Sequence, residues 1–156
     1  MPLDPANPLA ARSLLPYQLP DFAALTPQHY RDAFVAGMAE QLERLAALAS
    51  DPEPASEENV LAAWERSGEL LERAHLPFLS VKLANTTDEL DALHEEFTPK
   101  LAAHHDAIFL DRRLFDRVSE LATRADAGEV ELDAEADWML RELLRSFTRA
   151  GVGLGV

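Results

Sequence analysis

Apolar residues in this chain recur at three- and four-residue steps, the period of a helix with one buried face. The first such segment opens at Thr26 and Pro27, a hydroxyl that can cap free amides followed by a proline where no amide is needed. Its stripe is Tyr30, Phe34, Met38, Leu42, Leu45 and Leu48, with Ala33 and Gly37 beside it. The run Ser50, Asp51, Pro52, Glu53, Pro54 stops this helix. Ser56 then starts a second one as its cap, with Glu57 and Glu58 suited to the positive helix end. Two helices joined this tightly are predicted to pack antiparallel.

The second helix carries Val60, Leu61, Trp64, Gly68, Leu71 and Ala74 on one face and then meets Pro77. Phe78, Leu79, Val81 and Leu83 continue the helical spacing, so the pattern predicts a helix kinked at the proline and running to about Ala84. Thr86 with Glu89 reads as a capping box for a third helix, whose stripe is Leu90, Leu93, Phe97, Leu101, His104 and Ile108, with Pro99 a second tolerated kink. Asp111 can cap a shorter fourth helix with Leu114, Phe115, Val118, Leu121 and Ala122 inward. Residues 124–132, with Ala127, Gly128 and scattered acids, read as a loop. Asp133 caps a fifth helix whose Trp138, Leu140, Leu143, Leu144 and Phe147 form a broad apolar face ended by Gly151. With no alternating strand pattern and no repeat, the predicted fold is all-α: about five helices in an antiparallel bundle or array.

Ahead of the helices, residues 1–25 hold Pro2, Pro5, Pro8, Pro16 and Pro20, each removing an amide donor and fixing a backbone angle. They predict an extended strap, with Leu14, Leu15, Tyr17, Leu19 and Phe22 lying against the helices. A disordered tail up to Pro20 is the competing reading. The expected division is thus a lead-in over 1–25, a helical domain over 26–151 and an apolar end over 152–156.

Hydrophobic residues at 47% and charged residues at 27% suit a globular chain rather than a disordered one. Charge changes the picture more. Fourteen Lys plus Arg against 28 Asp plus Glu give a net charge of -14, which repels phosphate backbones and anionic lipid, and no basic stripe is evident in the sequence. Nucleic acid and membrane are therefore not expected as partners. No cysteine is present, which fits a reducing cytoplasm. No segment approaches the roughly 18 apolar residues that span a bilayer, and the start lacks a basic head followed by an apolar run, so the expectation is a soluble, cytoplasmic protein.

Candidate chemistry is sparse. His94, Glu95 and Glu96 open like a zinc-protease helix, but Thr98 stands where the second imidazole belongs, so His94 reads as part of a solvated face. Glu72 and His75 make a single E-x-x-H step, where a di-iron bundle needs two plus two further glutamates; a surface ion pair is the plainer reading. His104 and His105 are adjacent and diverge by about 100° on a helix, so they cannot face one metal; His104 lies on the apolar stripe as a core or rim residue. His29, in the first turn of the first helix, reads as a surface residue. Gly151, Gly153 and Gly155 follow a helix rather than joining a strand to one, which excludes a phosphate loop. Catalytic, cofactor and metal residues are accordingly assigned to none of the positions in this chain, and the many carboxylates are read as solvated helix faces.

The order of local motifs carries a family resemblance. Asn7-Pro8-Leu9, LPYQLPDF at Leu15 to Phe22, LTPQHYRDAF, DPEPASEENVLAAWERSG, TPKLAAHHDAIFLDRRLFDRV (Thr98 to Val118) and LLRSFTRAGVGL (Leu143 to Leu154) together resemble the amino-terminal helical region of the thimet oligopeptidase, oligopeptidase A and peptidyl-dipeptidase family of zinc peptidases, in its bacterial peptidyl-dipeptidase branch. The resemblance implies a parent metallopeptidase acting on short peptides, with zinc held by an H-E-x-x-H motif in a carboxy-terminal catalytic domain beyond this chain. This region would form one wall of the substrate channel and be inactive alone. The apolar Val152, Leu154 and Val156 at the end fit a truncation point, and a face made for another domain could pair two copies as a homodimer. The reading from a different class is a non-enzymatic acidic helical domain that binds a protein partner.

Overall fold

The computed structural model describes residues 1–154, and among these every regular element is helical. Helix α1 is Pro27–Ala49, a π-helical turn Glu57–Ala62 leads into α2 (Ala63–Ser67), and α3 is Glu69–Asn85. Then come α4 (Asp88–Phe109), α5 (Arg112–Asp126) and α6 (Ala134–Ala150), with 3-10 turns at Pro16–Gln18 and Val152–Leu154. Because only Gly68 separates α2 from α3, the chain runs as five helical stretches, as its periodicity predicts.

The capping chemistry explains most boundaries. The Thr26 hydroxyl accepts from the His29 amide (3.3 Å), while His29 Nδ1 accepts from the Thr26 amide (3.2 Å). The half-buried His29 is thus one arm of a capping box rather than a bystander on the surface. Ser56 and Asn59 form a full capping box, Asp111 accepts from the Arg113 amide, and Asp133 accepts from the Ala136 amide. Gly151 closes α6 at φ 91°, a left-handed conformation that suits a residue without Cβ.

Two boundaries differ from the pattern. The cap of α4 is Thr87, which accepts from the Leu90 amide, because the Thr86 hydroxyl is committed to Asp91 Oδ1 at 2.7 Å. The interruption in the second helix falls at Gly68 (φ -96°, ψ 4°), whereas α3 runs through Pro77. Ser67 donates its hydroxyl to the Trp64 carbonyl at 2.6 Å, and glycine is a poor helix former, so the weak point lies where the two meet. Helix α5 also extends to Asp126, three residues into the stretch read as a loop.

The chain divides into two compact units. Unit 1 is Met1–Gln41 with Gly68–Ala102, and unit 2 is Leu42–Ser67 with Ala103–Val156. Unit 1 is centred on Tyr30, Phe34, Ala74, Phe78, Leu90, Leu93 and Phe97, joined by Leu9 from the lead-in. Unit 2 is centred on Leu45, Leu48, Val60, Leu61, Ile108, Leu114, Val118, Leu121, Leu140 and Phe147. Buried Val152 joins that core, so the apolar end is packed at this residue; the Leu154 side chain, Gly155 and Val156 lie outside the described residues.

Inside unit 1 the close approach of α1 to α3 depends on Gly37. A Cβ built there would sit 2.9 Å from both Cα and N of Leu71, closer than packed atoms come. Gly37→Ala should therefore destabilise by about 1–3 kcal/mol through overpacking, outweighing the roughly 1 kcal/mol that alanine gains in a helix. Denaturant titration checks this, and a stabilised variant would show that the helices separate freely.

Several stripe residues face water instead of the core. Leu42 (40% exposed), Leu83 (88%) and Trp138 (64%) lie outside it, while Leu70, absent from the predicted face, is buried. The lead-in shows a larger reversal. Leu14, Leu15, Tyr17, Leu19 and Phe22, expected against the helices, are all exposed. Apart from the Pro16–Gln18 turn the lead-in is non-helical and punctuated by local hydrogen bonds, such as Asn7 N to Asp4 O and Ala10 N to Asn7 O, both 2.9 Å. Its buried anchors are Asn7 and Leu9.

Candidate functional site

The Asn7-Pro8-Leu9 motif acts as a clasp. Asn7 Oδ1 accepts from the Leu9 amide at 2.9 Å, and its Nδ2 donates to the His29 carbonyl in the first turn of α1 at 3.0 Å. From α3, Arg73 Nε donates to the Leu9 carbonyl at 2.8 Å and Nη2 to the Ala10 carbonyl at 3.2 Å. These contacts satisfy the polar groups of a buried turn, which would otherwise cost free energy as lost hydrogen bonds. An outer pair, Arg12 with Glu69 at 3.4 Å, is well exposed and adds little.

Beyond the clasp the chain leaves the helices and encloses a cavity of about 880 Å³ against α3, entirely within unit 1. Leu14, Leu15, Leu19 and Phe22 line one side, and Leu76 (56% exposed) lies on the other with Pro77. Tyr17 and Gln18 take left-handed angles (φ 58° and 55°) without being glycine, a conformation that costs of order 1–2 kcal/mol per residue. Tyr17 is 95% exposed, so no packing contact compensates. Glu72 and Asp21 also line the cavity, and neither has an ion-pair partner among the described residues. This groove is lined mainly by apolar side chains, with a few charged groups among them, the character of a surface that can take an apolar segment.

Three of the histidines singled out in the sequence, His75, His94 and His105, are packed against rings. His94 stacks on Phe78 (6.3 Å between centroids, 26°), which makes it half-buried rather than a solvated face residue. His75 meets Phe34 edge-on (6.1 Å, 72°) instead of forming the surface pair expected with Glu72. Burial first, and then the nearby His94, lower the pKa of His75 below the ordinary imidazole value. His104 is buried on its stripe, with its pKa lowered by burial and then by His105. His105 lies beside Phe109 at 4.6 Å. No group of three His, Asp or Glu among the described residues could hold a metal ion.

Two features escaped the sequence reading. Arg117, 6% exposed in unit 2, faces Glu120 and Asp51, a partnership across 66 positions that no local pattern reveals. Helix α6 carries Arg141, Arg145 and Arg149 at four-residue steps beside a shallow recess, a short basic row in an acidic chain. The first two are already paired, Arg141 with Asp126 and Asp137, and Arg145 with Glu142. No helix among the described residues is long and apolar enough to cross a membrane.

Comparison with known proteins shows that this all-helical chain is similar to bacterial peptidyl-dipeptidases. It is 36% identical over 148 residues to dipeptidyl carboxypeptidase of Escherichia coli strain K12, covering 95% of this chain and 21% of that protein. Identity to dipeptidyl carboxypeptidase of Salmonella typhimurium strain LT2 is likewise 36% over 148 residues, covering 95% of this chain and 22% of that protein. The chain thus spans only about 21% of the length of the curated relatives it matches. No family model matches it.

Proposed function

We propose that this chain is the amino-terminal helical region of a zinc-dependent peptidyl-dipeptidase, forming one wall of a channel that restricts the parent enzyme to short peptides. The observation that carries this reading is identity across nearly the whole chain to proteins that are several times longer and are named dipeptidyl carboxypeptidase. The zinc and its general-base glutamate belong, in this reading, to the remainder of the polypeptide, and the region alone is inactive. The compartment is the cytoplasm.

Zinc content and cleavage of a short fluorogenic peptide, measured on residues 1–156 and on the protein extended to its natural stop codon, test the reading. Only the extended protein should bind zinc and cleave. Absence of both from the extended protein would overturn it. The open groove in unit 1 favours one other reading, an acidic helical module that binds a protein partner, and that reading takes over if the gene ends at Val156.

A further inference from the structure

We infer that the groove between the lead-in and α3 seats an apolar segment bearing a lysine or arginine, supplied in cis by the rest of the parent polypeptide. The inference rests on the reading of this chain as part of a longer protein. Its sides are apolar and open: Leu14 is 102% exposed, Leu76 56% and Leu19 56%, side chains that monomeric proteins seldom gather around one cavity uncovered.

Charge identifies the occupant. The two arginines at this groove are committed, Arg73 to the Leu9 and Ala10 carbonyls and Arg12 to Glu69. Asp21 and Glu72 remain as carboxylates without an ion-pair partner among the described residues, in a chain of net charge -14. An apolar segment with a basic side chain covers the apolar sides and pairs Asp21 and Glu72. A second copy is disfavoured, since it brings another -14, and in its basic row on α6 Arg141 and Arg145 are already paired.

Source follows from length. The curated relatives hold this region in about 21% of their sequence, so a longer parent offers a large stretch of tethered chain. A tethered segment meets the groove at an effective concentration of order millimolar, at which a modest apolar contact suffices. Seating it would also give Tyr17 and Gln18 the packing that their left-handed backbone lacks.

The test uses the full-length protein with Leu14→Cys or Leu76→Cys, following maleimide addition to that cysteine by mass spectrometry of the labelled peptide, in buffer and in urea. Addition in buffer should be at least about tenfold slower than in urea, at every protein concentration. Asp21→Lys combined with Glu72→Lys should raise the rate in buffer. Rates within about twofold of those in urea overturn the inference, as does protection that appears only as concentration rises, which would mark a second copy. A polypeptide that ends at Val156 overturns it as well. Peptidase activity, read on the same samples, separates the two ideas. Protected thiols in a protein that cleaves nothing uphold the docking and remove the peptidase reading, whereas unprotected thiols in an active enzyme do the reverse.

Discussion

Phe34→Ala should cost unit 1 about 3–5 kcal/mol, a large share of the 5–15 kcal/mol that typically holds a domain folded. Phe34 is completely buried, and three rings converge on it: Phe97 at 5.0 Å, Phe78 at 5.3 Å nearly perpendicular, and His75 at 6.1 Å. Truncation removes the transfer free energy of the ring. It also opens a cavity walled by residues from α1, α3 and α4, where side chains held by several helices collapse poorly. The edge-to-face contacts, of order 0.5–1.5 kcal/mol per pair, are lost as well. At about 2–4 °C per kcal/mol, thermal unfolding should shift down by roughly 10 °C, and Phe34→Leu should recover much of that. A shift below about 2 °C would mean that the aromatic cluster does not hold unit 1 together.

Arg117→Ala should destabilise unit 2 by about 3 kcal/mol, the lower end of the range for breaking a buried ion pair. Arg117 Nη1 donates to Glu120 Oε2 at 2.9 Å, and Nη2 lies 3.6 Å from Asp51 Oδ2, an ion pair too long for a hydrogen bond. Nε is buried without a hydrogen-bond partner, so the guanidinium already carries a desolvation cost that only its carboxylates offset. The figure sits at the low end because Asp51 is 28% exposed and Glu120 43%, and water can reach them once the arginine is gone.

The same cluster fastens the loop between α1 and the π-helical turn. Glu120 Oε1 accepts from the Ala55 amide at 3.0 Å, and Arg124 donates to the Ala55 carbonyl. The Ala55 amide first, and then Arg117 and Arg124, hold the Glu120 carboxyl below its usual pKa, against the opposing effect of burial. A carboxyl with a depressed folded pKa contributes stability above its unfolded pKa and loses it as pH falls through the folded one. Acid should therefore loosen unit 2 below the ordinary carboxylate range, and Glu120→Gln should flatten that dependence while lowering stability at neutral pH. Urea titrations of both variants at pH 7 and at about pH 3, below the ordinary carboxylate range, check these expectations. An Arg117→Ala protein as stable as the parent at pH 7 would show that the buried guanidinium contributes nothing net.

How far the sequence could be read depended on the range of the interaction. Thr26, Ser56, Asp111, Asp133 and Gly151 mark their helix ends correctly because a cap involves atoms only a few residues apart. Tyr30, Phe34, Leu93, Phe97, Leu121 and Leu140 follow from the helical period and are buried. Trp138 and Leu83 satisfy the same period but face water, since periodicity defines a stripe without revealing whether anything covers it. The apolar lead-in fails similarly: Leu14 and Tyr17 are as greasy as core residues, yet the buried anchors are Asn7 and Leu9. The groove was not legible because it is assembled by Arg73, 64 positions from the Leu9 carbonyl it holds.

Local chemistry in the chain therefore determined the helical class, the helix count and the caps, because hydrophobic period and capping act over one or two turns. Net charge and the family resemblance were equally available from residue identity and order. Tertiary structure alone decided that Gly37 brings α1 against Leu71, that Arg117 is buried between Asp51 and Glu120, and that the lead-in opens over Leu76 rather than closing on the helices. Each of these depends on which distant segment arrives at a given face, and steric fit and desolvation select that segment only when the whole unit packs.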